Sequence, residues 1–546
     1  MLDTVAIDKA IAKNIHHFSK PGILSVRPGY KIKGGWITGQ NAIVIMVAKK
    51  RKKVPAKQHI PKKIGGFPTD VRQATTWEKL RHADPHKHAA VLAVQRAEFA
   101  QPDFPEERDA QTGQLLARAN PRMAVAATGS KPRIPYTPAQ GVSLTPVFDT
   151  MSMTLCASPD AGWLVLEKFL AGVNAQLTIG MYDFTSAHIL AAFKNTLAGK
   201  QQLSLVLDHP APNPTSDQTD EATEQALSTK LGNRQSFAWA AEGSDPKVTS
   251  AIFPNAYHIK VAVKDHSIFW LSSGNFNNSN QPDIDPFAPN ANMNQINATA
   301  KKSDRDWHAV VQHPGLAKVF EAYLKHDLEV ARAIQVSPAG KKVAASAAPD
   351  SAKTPSPEKP ILGKSSPSQY FPPFKIVNQK VKVQPILTPD TGAGNYVANI
   401  MALIDSATKK LYMQTQYIHP PDPAKYPGFQ KLIEAVKKKI AAGVDVRIIL
   451  SEYEATGGWL EKLQAAGIDA SKYVRIQNGV HNKGFVVDSK VVALGSQNWS
   501  GDGVEKNRDA SLILFHAGAA QYFEKIFLHD WDNLAKPKLS GQVSSK

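Results

Sequence analysis

Two stretches of the chain repeat the same order of apolar patterning. In the first, Leu164–Val173 places apolar residues at helical spacing, Leu177–Phe184 is an apolar run, Ile189–Leu197 is helical again, and Leu203–Leu207 is a second short run. In the second, Val397–Ile404 reads as helix and Leu411–Ile418 as strand. Phe429, Leu432, Ile433, Val436 and Ile440 then form a helical stripe before the strand Val444–Leu450. Apolar positions three and four apart mark one helix face, whereas short apolar runs bounded by polar residues suit buried strands. This alternation in both halves predicts an α/β protein with helices packed on mostly parallel sheets. The expected architecture is two similar mixed-sheet α/β lobes side by side, with a site at their interface. A solenoid would need more and shorter repeats.

The remaining patterning sets the expected boundaries. Residues 1–150 form a module ahead of the lobes, with short strands at Gly22–Val26, Ala42–Val47 and Ile64–Val71 and an Ala-rich helical stretch from about residue 76. Loops around Pro132, Pro135 and Pro138 follow. Residues 151–335 form the first lobe and 374–536 the second. Between them, 336–373 is rich in Ala, Ser, Pro and Lys and reads as a flexible surface linker. Residues 537–546 read as a disordered tail. The N-terminal stretch faintly resembles a small module found ahead of some bacterial trypsin-like domains, but it carries no recognisable Ser-His-Asp set.

A polar constellation is set into this apolar scaffold twice. His258-Ile259-Lys260 with Asp265 and His481-Asn482-Lys483 with Asp488 share the pattern His-x-Lys-x-x-x-x-Asp. Seven residues after each Asp come Ser272-Ser273-Gly274-Asn275 and Gly495-Ser496-Gln497-Asn498, so His and Asn are 17 apart in both copies. A lone His-x-Lys usually marks a solvated strand edge; two copies in one register do not arise that way. On a strand, His and Lys at i and i+2 share a face while Asp at i+7 falls on the other. Asp265 and Asp488 are therefore expected to be structural. Two such strands side by side would gather two imidazoles, two ammonium groups and two amides around one pocket. That pocket suits a phosphodiester, whose oxygens need cationic and amide donors as charge develops. One imidazole can attack phosphorus and the other can protonate the leaving oxygen, without a metal or cofactor.

On these paired motifs the chain, from about Leu164 to Asp532, resembles a two-motif member of the phospholipase D superfamily. The resemblance implies that His258 is the nucleophile, forming a phosphohistidine, and that His481 is the general acid. Lys260 and Lys483 would hold the phosphoryl oxygens with Asn275, Asn498, Ser273 and Ser496. It also implies a carboxylate behind each His. Asp509, 28 residues after His481, fits that role, with Asp306 as its counterpart in the first half. An Arg-Asp run at a strand start serves equally well as a cap or ion pair. The family prefers Gly where this chain has Ser272, a change expected to tighten the approach of the backbone to phosphate. Tyr182 and Asp183 end a strand near the expected pocket, where substrate contact and simple burial explain them equally. His82, His86 and His88 are spaced as a surface cluster rather than as metal ligands.

Composition narrows the function classes. With 546 residues and 42% apolar content, the chain can bury large cores without disulfides, and the single cysteine, Cys156, excludes an internal one. No signal peptide and no run of about 18 apolar residues is seen, so the expectation is cytoplasmic residence, with peripheral membrane attachment left open. The net charge of +18 is unevenly placed: residues 1–150 hold 24 Lys and Arg against 11 Asp and Glu, densest at Lys49-Lys50-Arg51-Lys52-Lys53. Such a patch attracts an anionic lipid surface or nucleic acid, and a solvated loop is the plain alternative. Three classes remain: a phospholipase D acting on phospholipid as hydrolase or by alcohol exchange, a metal-independent nuclease, and a non-catalytic phosphate binder. The first is favoured, because both motifs lie in one chain, making a monomeric catalytic unit. A phospholipid synthase is a further variant of it.

Overall fold

A computed structural model describes residues 2–33, 36–51, 54–55, 58–74, 76–83, 108–114, 137–208, 216–240, 253, 256–335, 369–452 and 458–536. The N-terminal module pairs β1 (Ile23–Lys33) with β2 (Trp36–Val47) and adds β3 (Lys63–Ile64), β4 (Phe67–Gln73) and β5 (Arg108–Asp109), in the order β3-β4-β2-β1-β5. Alternation along β2 sends Ile43, Ile45 and Val47 to one side, where Ile7 and Ile11 of the helix Thr4–Lys13 cover them, and Val44 and Met46 to the other. The module is seated on the second lobe. Glu461, buried in the helix Trp459–Ala465, accepts from Arg27 (2.6 Å), Arg72 (3.0 Å) and the Tyr30 amide (3.1 Å). Burial would raise the Glu461 pKa, but Arg27 and Arg72 hold it below the usual carboxylate range. Tyr30 and Ile37 join the apolar core of that lobe.

The first lobe contributes β6 (Val147–Ser158), β7 (Gln176–Met181), β8 (Gln202–Leu207), β9 (Gln235–Trp239), β10 (Lys260–Lys264), β11 (Ile268–Ser272) and β12 (Asp306–Gln312). The second contributes β13 (Phe374–Thr388), β14 (Lys410–Thr415), β15 (Asp445–Ser451), β16 (Val474–Gln477), β17 (Lys483–Val487), β18 (Val491–Gly495) and β19 (Asp509–Phe515). The lobes repeat one strand order, β6-β12-β11-β10-β7-β8-β9 and β13-β19-β18-β17-β14-β15-β16. Antiparallel pairing of β6 with β13 joins them into one 14-stranded sheet. The sheet is mixed rather than mostly parallel. Only the outer strands, β7-β8-β9 and β14-β15-β16, run parallel, because helical crossovers connect them; hairpins build the antiparallel middle.

Three expectations are corrected here. The motif strands β10 and β17 are not neighbours; six strands separate them in the sheet. They meet because the sheet folds back on itself, packing β12 on β17 and β18, and β10 on β19. Gly484 in β17 shows how close this packing is: a Cβ there would lie 2.3 Å from the Trp307 ring of β12. The end of the expected linker is also not a loose surface segment. Phe371 is buried and its amide donates to Asp160 (3.0 Å), while residues 336–368 lie outside the described residues. So do 537–546, Pro132 and Pro135. The first lobe begins before residue 151, since β6 starts at Val147 and Leu144 already packs into the shared core.

The motif aspartates occupy hairpin turns. Asp265 and His266, and Asp488 and Ser489, have positive φ, between 50° and 57°. Asp tolerates that region better than bulkier residues. The Asp265 carboxylate accepts the amides of Asn174, Ala175 and Gln176 (2.8–3.0 Å), and Asp488 those of Thr408, Lys409 and Lys410 (2.7–2.9 Å). Each thus ties a hairpin to the start of the neighbouring strand, β7 or β14, which pairs antiparallel with the motif strand. Burial would raise the pKa of Asp488, but the Thr408 hydroxyl (2.7 Å) and these amides bring it down to about 2.

Candidate active site

The chain path leading into each histidine determines what the histidine touches. Tyr257 forms a parallel bridge with Arg508, and Val480 with Arg305. Arg508 N donates to Ala256 O (2.9 Å) and Arg305 N to Gly479 O (2.6 Å). The next residue on each paired segment therefore lies alongside its partner: His258 beside Asp509, and His481 beside Asp306. His258 Nδ1 donates to Asp509 Oδ1 at 2.8 Å and His481 Nδ1 to Asp306 Oδ1 at 3.0 Å, with all four side chains buried. The expected pairing, each carboxylate behind the histidine of its own half, is corrected: the pairs cross the lobe boundary. Burial would raise the Asp306 pKa, but His481 and then Lys483 outweigh it and hold the carboxyl below its usual range.

Ser273 and Ser496 are placed differently from the phosphate-binding expectation. Ser273 Oγ donates to Asp306 Oδ1 and Ser496 Oγ to Asp509 Oδ1, both at 2.6 Å, while accepting from Trp307 N and Ala510 N. A hydroxyl has one hydrogen, and here it goes to the carboxylate. These serines hold the aspartates that hold the imidazoles. Asn275 and Asn498 are buried, and their Oδ1 atoms have no hydrogen-bond partner among the described residues.

The two lysines are equally enclosed. Lys260 Nζ donates to His258 O (2.6 Å) and lies 4.9 Å from the Tyr182 ring centroid; that ring packs edge-on against His258 (4.8 Å). Lys483 Nζ donates to His481 O (2.5 Å) and His481 Nε2 (3.1 Å). An ammonium only donates, so this network assigns His481 its Nδ1–H tautomer, with Nε2 holding the lone pair. Nδ1 of each imidazole is committed to a carboxylate, so any chemistry at either ring falls to its Nε2.

Several supporting residues were not anticipated from the motifs. Arg305 makes a bidentate pair with Asp530 (2.8 and 3.0 Å), binds Ser158 O (2.9 Å) and also contacts Asp160. Arg508 pairs with Asp327 through two 2.9 Å bonds. Each Arg directly precedes a site aspartate and reaches into the opposite lobe. The Arg-Asp dipeptide shared by the two halves was the visible signal. Asp208 and Glu452, after the matching strands β8 and β15, accept the amides of Tyr257 (2.6 Å) and Gly479 (2.8 Å) and fix the segments entering the histidines. Asp183 binds Asn277 Nδ2 (3.0 Å) beside the first motif. His82 pairs with Asp109 (3.1 Å), whereas His86 and His88 lie outside the described residues. Among the described residues, no His, Cys, Asp and Glu cluster offers a metal's ligand set.

Ser272 also takes a role other than the expected one. Its hydroxyl lies 2.7 Å from both His308 Nδ1 and Gly274 N, and His308 Nε2 lies 2.9 Å from Ser158 Oγ. Burial drives the His308 pKa down to about 4, so this bridge is neutral. In the second lobe the pair facing each other is Gly495 and Ser511. Ser272→Gly should therefore cost about 1–3 kcal/mol in denaturant unfolding by orphaning a buried imidazole nitrogen. Unchanged stability would show that the bridge contributes nothing.

Fold and site together define a two-lobed protein with paired His-Lys-Asn half-sites and crossed carboxylate partners. Residues 400–531 match the family model described as cardiolipin synthase, PLD-like domain. A cardiolipin synthase of Listeria monocytogenes is 25% identical over 171 residues, covering 30% of this chain and 33% of its own. Cardiolipin synthase 2 of Staphylococcus epidermidis is 25% identical over 154 residues, 27% of this chain and 28% of its own. The chain thus spans about a third of the curated relatives it matches. The crystal structure of phosphatidylserine synthase from Haemophilus influenzae aligns over 71% of this chain and 88% of its own, with 14% identity and a TM-score of 0.45. Residues 400–531, within the second lobe, thus carry a PLD-like domain.

Proposed function

We propose that this protein is a phospholipase D-type phosphodiesterase acting on phospholipid, by hydrolysis or by exchange of the headgroup alcohol. The crossed pairs His258–Asp509 and His481–Asp306 carry this reading. His258 Nε2 attacks phosphorus and forms the N–P bond as the P–O bond to the leaving alcohol breaks. His481, protonated on substrate binding, gives that oxygen its proton. Water or a second alcohol then loses its proton to His481 as its oxygen attacks phosphorus and the N–P bond breaks. Lys260, Lys483, Asn275 and Asn498 supply the charge and amide donors for the phosphoryl oxygens, strongest where water is excluded. Asp306 and Asp509 fix the tautomer and stabilise the imidazolium as it forms. No metal or cofactor is needed for these steps.

The similarity to cardiolipin synthases supports phospholipid as substrate and alcohol as acceptor. Both half-sites lie on one chain, so one chain is the catalytic unit. Among the described residues no helix is long and apolar enough to cross a membrane, and peripheral attachment through the basic N-terminal module fits a lipid substrate. That module also supports a second reading, a nuclease: Lys49, Lys50 and Arg51 are exposed and would attract nucleic acid. The experiment presents purified protein, with chelator and no added metal, to phospholipid vesicles and to single- and double-stranded nucleic acid. Headgroup release from lipid alone is the expected result. Cleaved nucleic acid with intact lipid would establish the nuclease instead.

A further inference from the structure

The half-sites repeat their His, Lys and Asn groups but differ at the position that follows the strand beside each motif lysine. Lys260 pairs with Met181 across β10 and β7, and Lys483 with Thr415 across β17 and β14, so the next residues, Tyr182 and Gln416, are equivalent. Tyr182 closes its half with a ring packed on His258 and beneath Lys260. The backbone N–H of Gln416 donates to Asn482 O (2.9 Å), and its side chain is buried, with Oε1 lacking any hydrogen-bond partner among the described residues. The asymmetry continues along the chain. Thr185 N donates to Phe276 O, and at the matching place His419 N donates to Trp499 O (2.8 Å), next to Asn498. The His419 ring lies between Tyr417 (4.0 Å, 11°) and Trp459 (3.3 Å, 6°). Burial, aided by Lys462, holds its pKa well below the usual value, so this wall is neutral.

A buried acceptor left without a partner is costly unless something else satisfies it. We infer that Gln416 recognises a hydrogen-bond donor, a hydroxyl in the first instance, on the headgroup alcohol that His481 protonates, with Tyr417, His419 and Trp459 as the wall of that subsite. The inference rests on the phospholipid reading above and makes it specific: the leaving alcohol lies on the second-lobe side and carries at least one further donor. By reversal of the same step, the accepting alcohol enters through the same subsite and meets the same requirement.

The test uses the full chain and vesicles containing equal amounts of phosphatidylglycerol and phosphatidylcholine, which share their surface but differ in headgroup donors. The wild type should release glycerol in preference to choline, which has no donor beyond the reacting oxygen. Gln416→Met, close in volume, should lower the ratio of the two kcat/KM values about 10-fold or more, as expected when a polar group built to meet a substrate donor is removed. Gln416→Glu keeps an acceptor and should retain most of the ratio, which separates recognition from damage to the fold. An unchanged ratio in Gln416→Met, or wild-type preference for choline, overturns the inference while leaving the phospholipid reading intact. Release of neither headgroup by the wild type overturns that reading and this inference with it.

Discussion

His258→Ala should abolish turnover, with a loss of about 10⁴–10⁶-fold, because it removes the nucleophile from a set of groups that act as a unit. No phosphorylated protein should be trapped from this variant by acid quench of a labelled diester. His481→Ala should lose about 10²–10⁴-fold on an alkyl ester, whose leaving oxygen needs a proton. With a p-nitrophenyl ester, which leaves without one, it should accumulate the phosphohistidine, since water is no longer activated. The crossed carboxylates sharpen this test. Asp306→Asn should behave like His481→Ala and accumulate the adduct, because Asp306 holds His481 from 175 residues away. Asp509→Asn should behave like a weakened His258 and accumulate none. The opposite assignment of the two aspartates would contradict the crossed geometry, and full activity in His258→Ala would remove the nucleophile from its role.

The second large effect concerns stability. Arg508→Met should destabilise the fold by about 3–5 kcal/mol in denaturant unfolding, because it strands the buried Asp327 carboxylate, which otherwise receives two 2.9 Å bonds. Adding Asp327→Leu should recover much of the loss, since the double change removes the unpaired charge as well. A loss no larger than that of an exposed Lys→Met change would show that the pair does not clamp the lobes. Its counterpart, Arg305 with Asp530, adds a pH signature. Burial would raise the Asp530 pKa, but Arg305, with help from His529 and Gln414, brings it to about 2, below the ordinary 3.8. A depressed carboxylate stabilises the fold above the unfolded value. Its contribution is therefore complete above about pH 4 and lost as pH falls toward 2. Arg305→Met should flatten stability across that window.

Much of the lobe structure was legible along the chain, and the reason is local. The stripe from Phe429 to Ile440 becomes the helix Pro427–Ala441, and the run Leu203–Leu207 becomes β8, because side-chain period reports backbone conformation within a few residues. The structural place expected for Asp265 and Asp488 is found, but in hairpin turns just past the strand ends rather than on the opposite strand face that parity implied. Sheet direction was less legible. Alternating helix and strand at Leu164–Leu207 describes only the parallel edge of the lobe, and the antiparallel middle comes from hairpins that carry the motifs. The pairing of Asp306 and Asp509 was misplaced because sequence distance favoured a partner in the same half. The tasks of Ser273 and Ser496 were misplaced for a related reason: a serine beside a phosphate-site Asn looks like a ligand until its hydroxyl is seen to face a carboxylate.

The amino-acid sequence by itself determined that two identical polar sets stand on two similar apolar scaffolds, since both the 17-residue spacing and the periodicity are carried by neighbours along the chain. Only the tertiary structure decided that each imidazole takes its carboxylate from the other lobe and that Tyr182 and Gln416 make the halves unequal. Those relations depend on a sheet that folds back to bring together residues 175 and 251 positions apart, and no local pattern records a contact at that range.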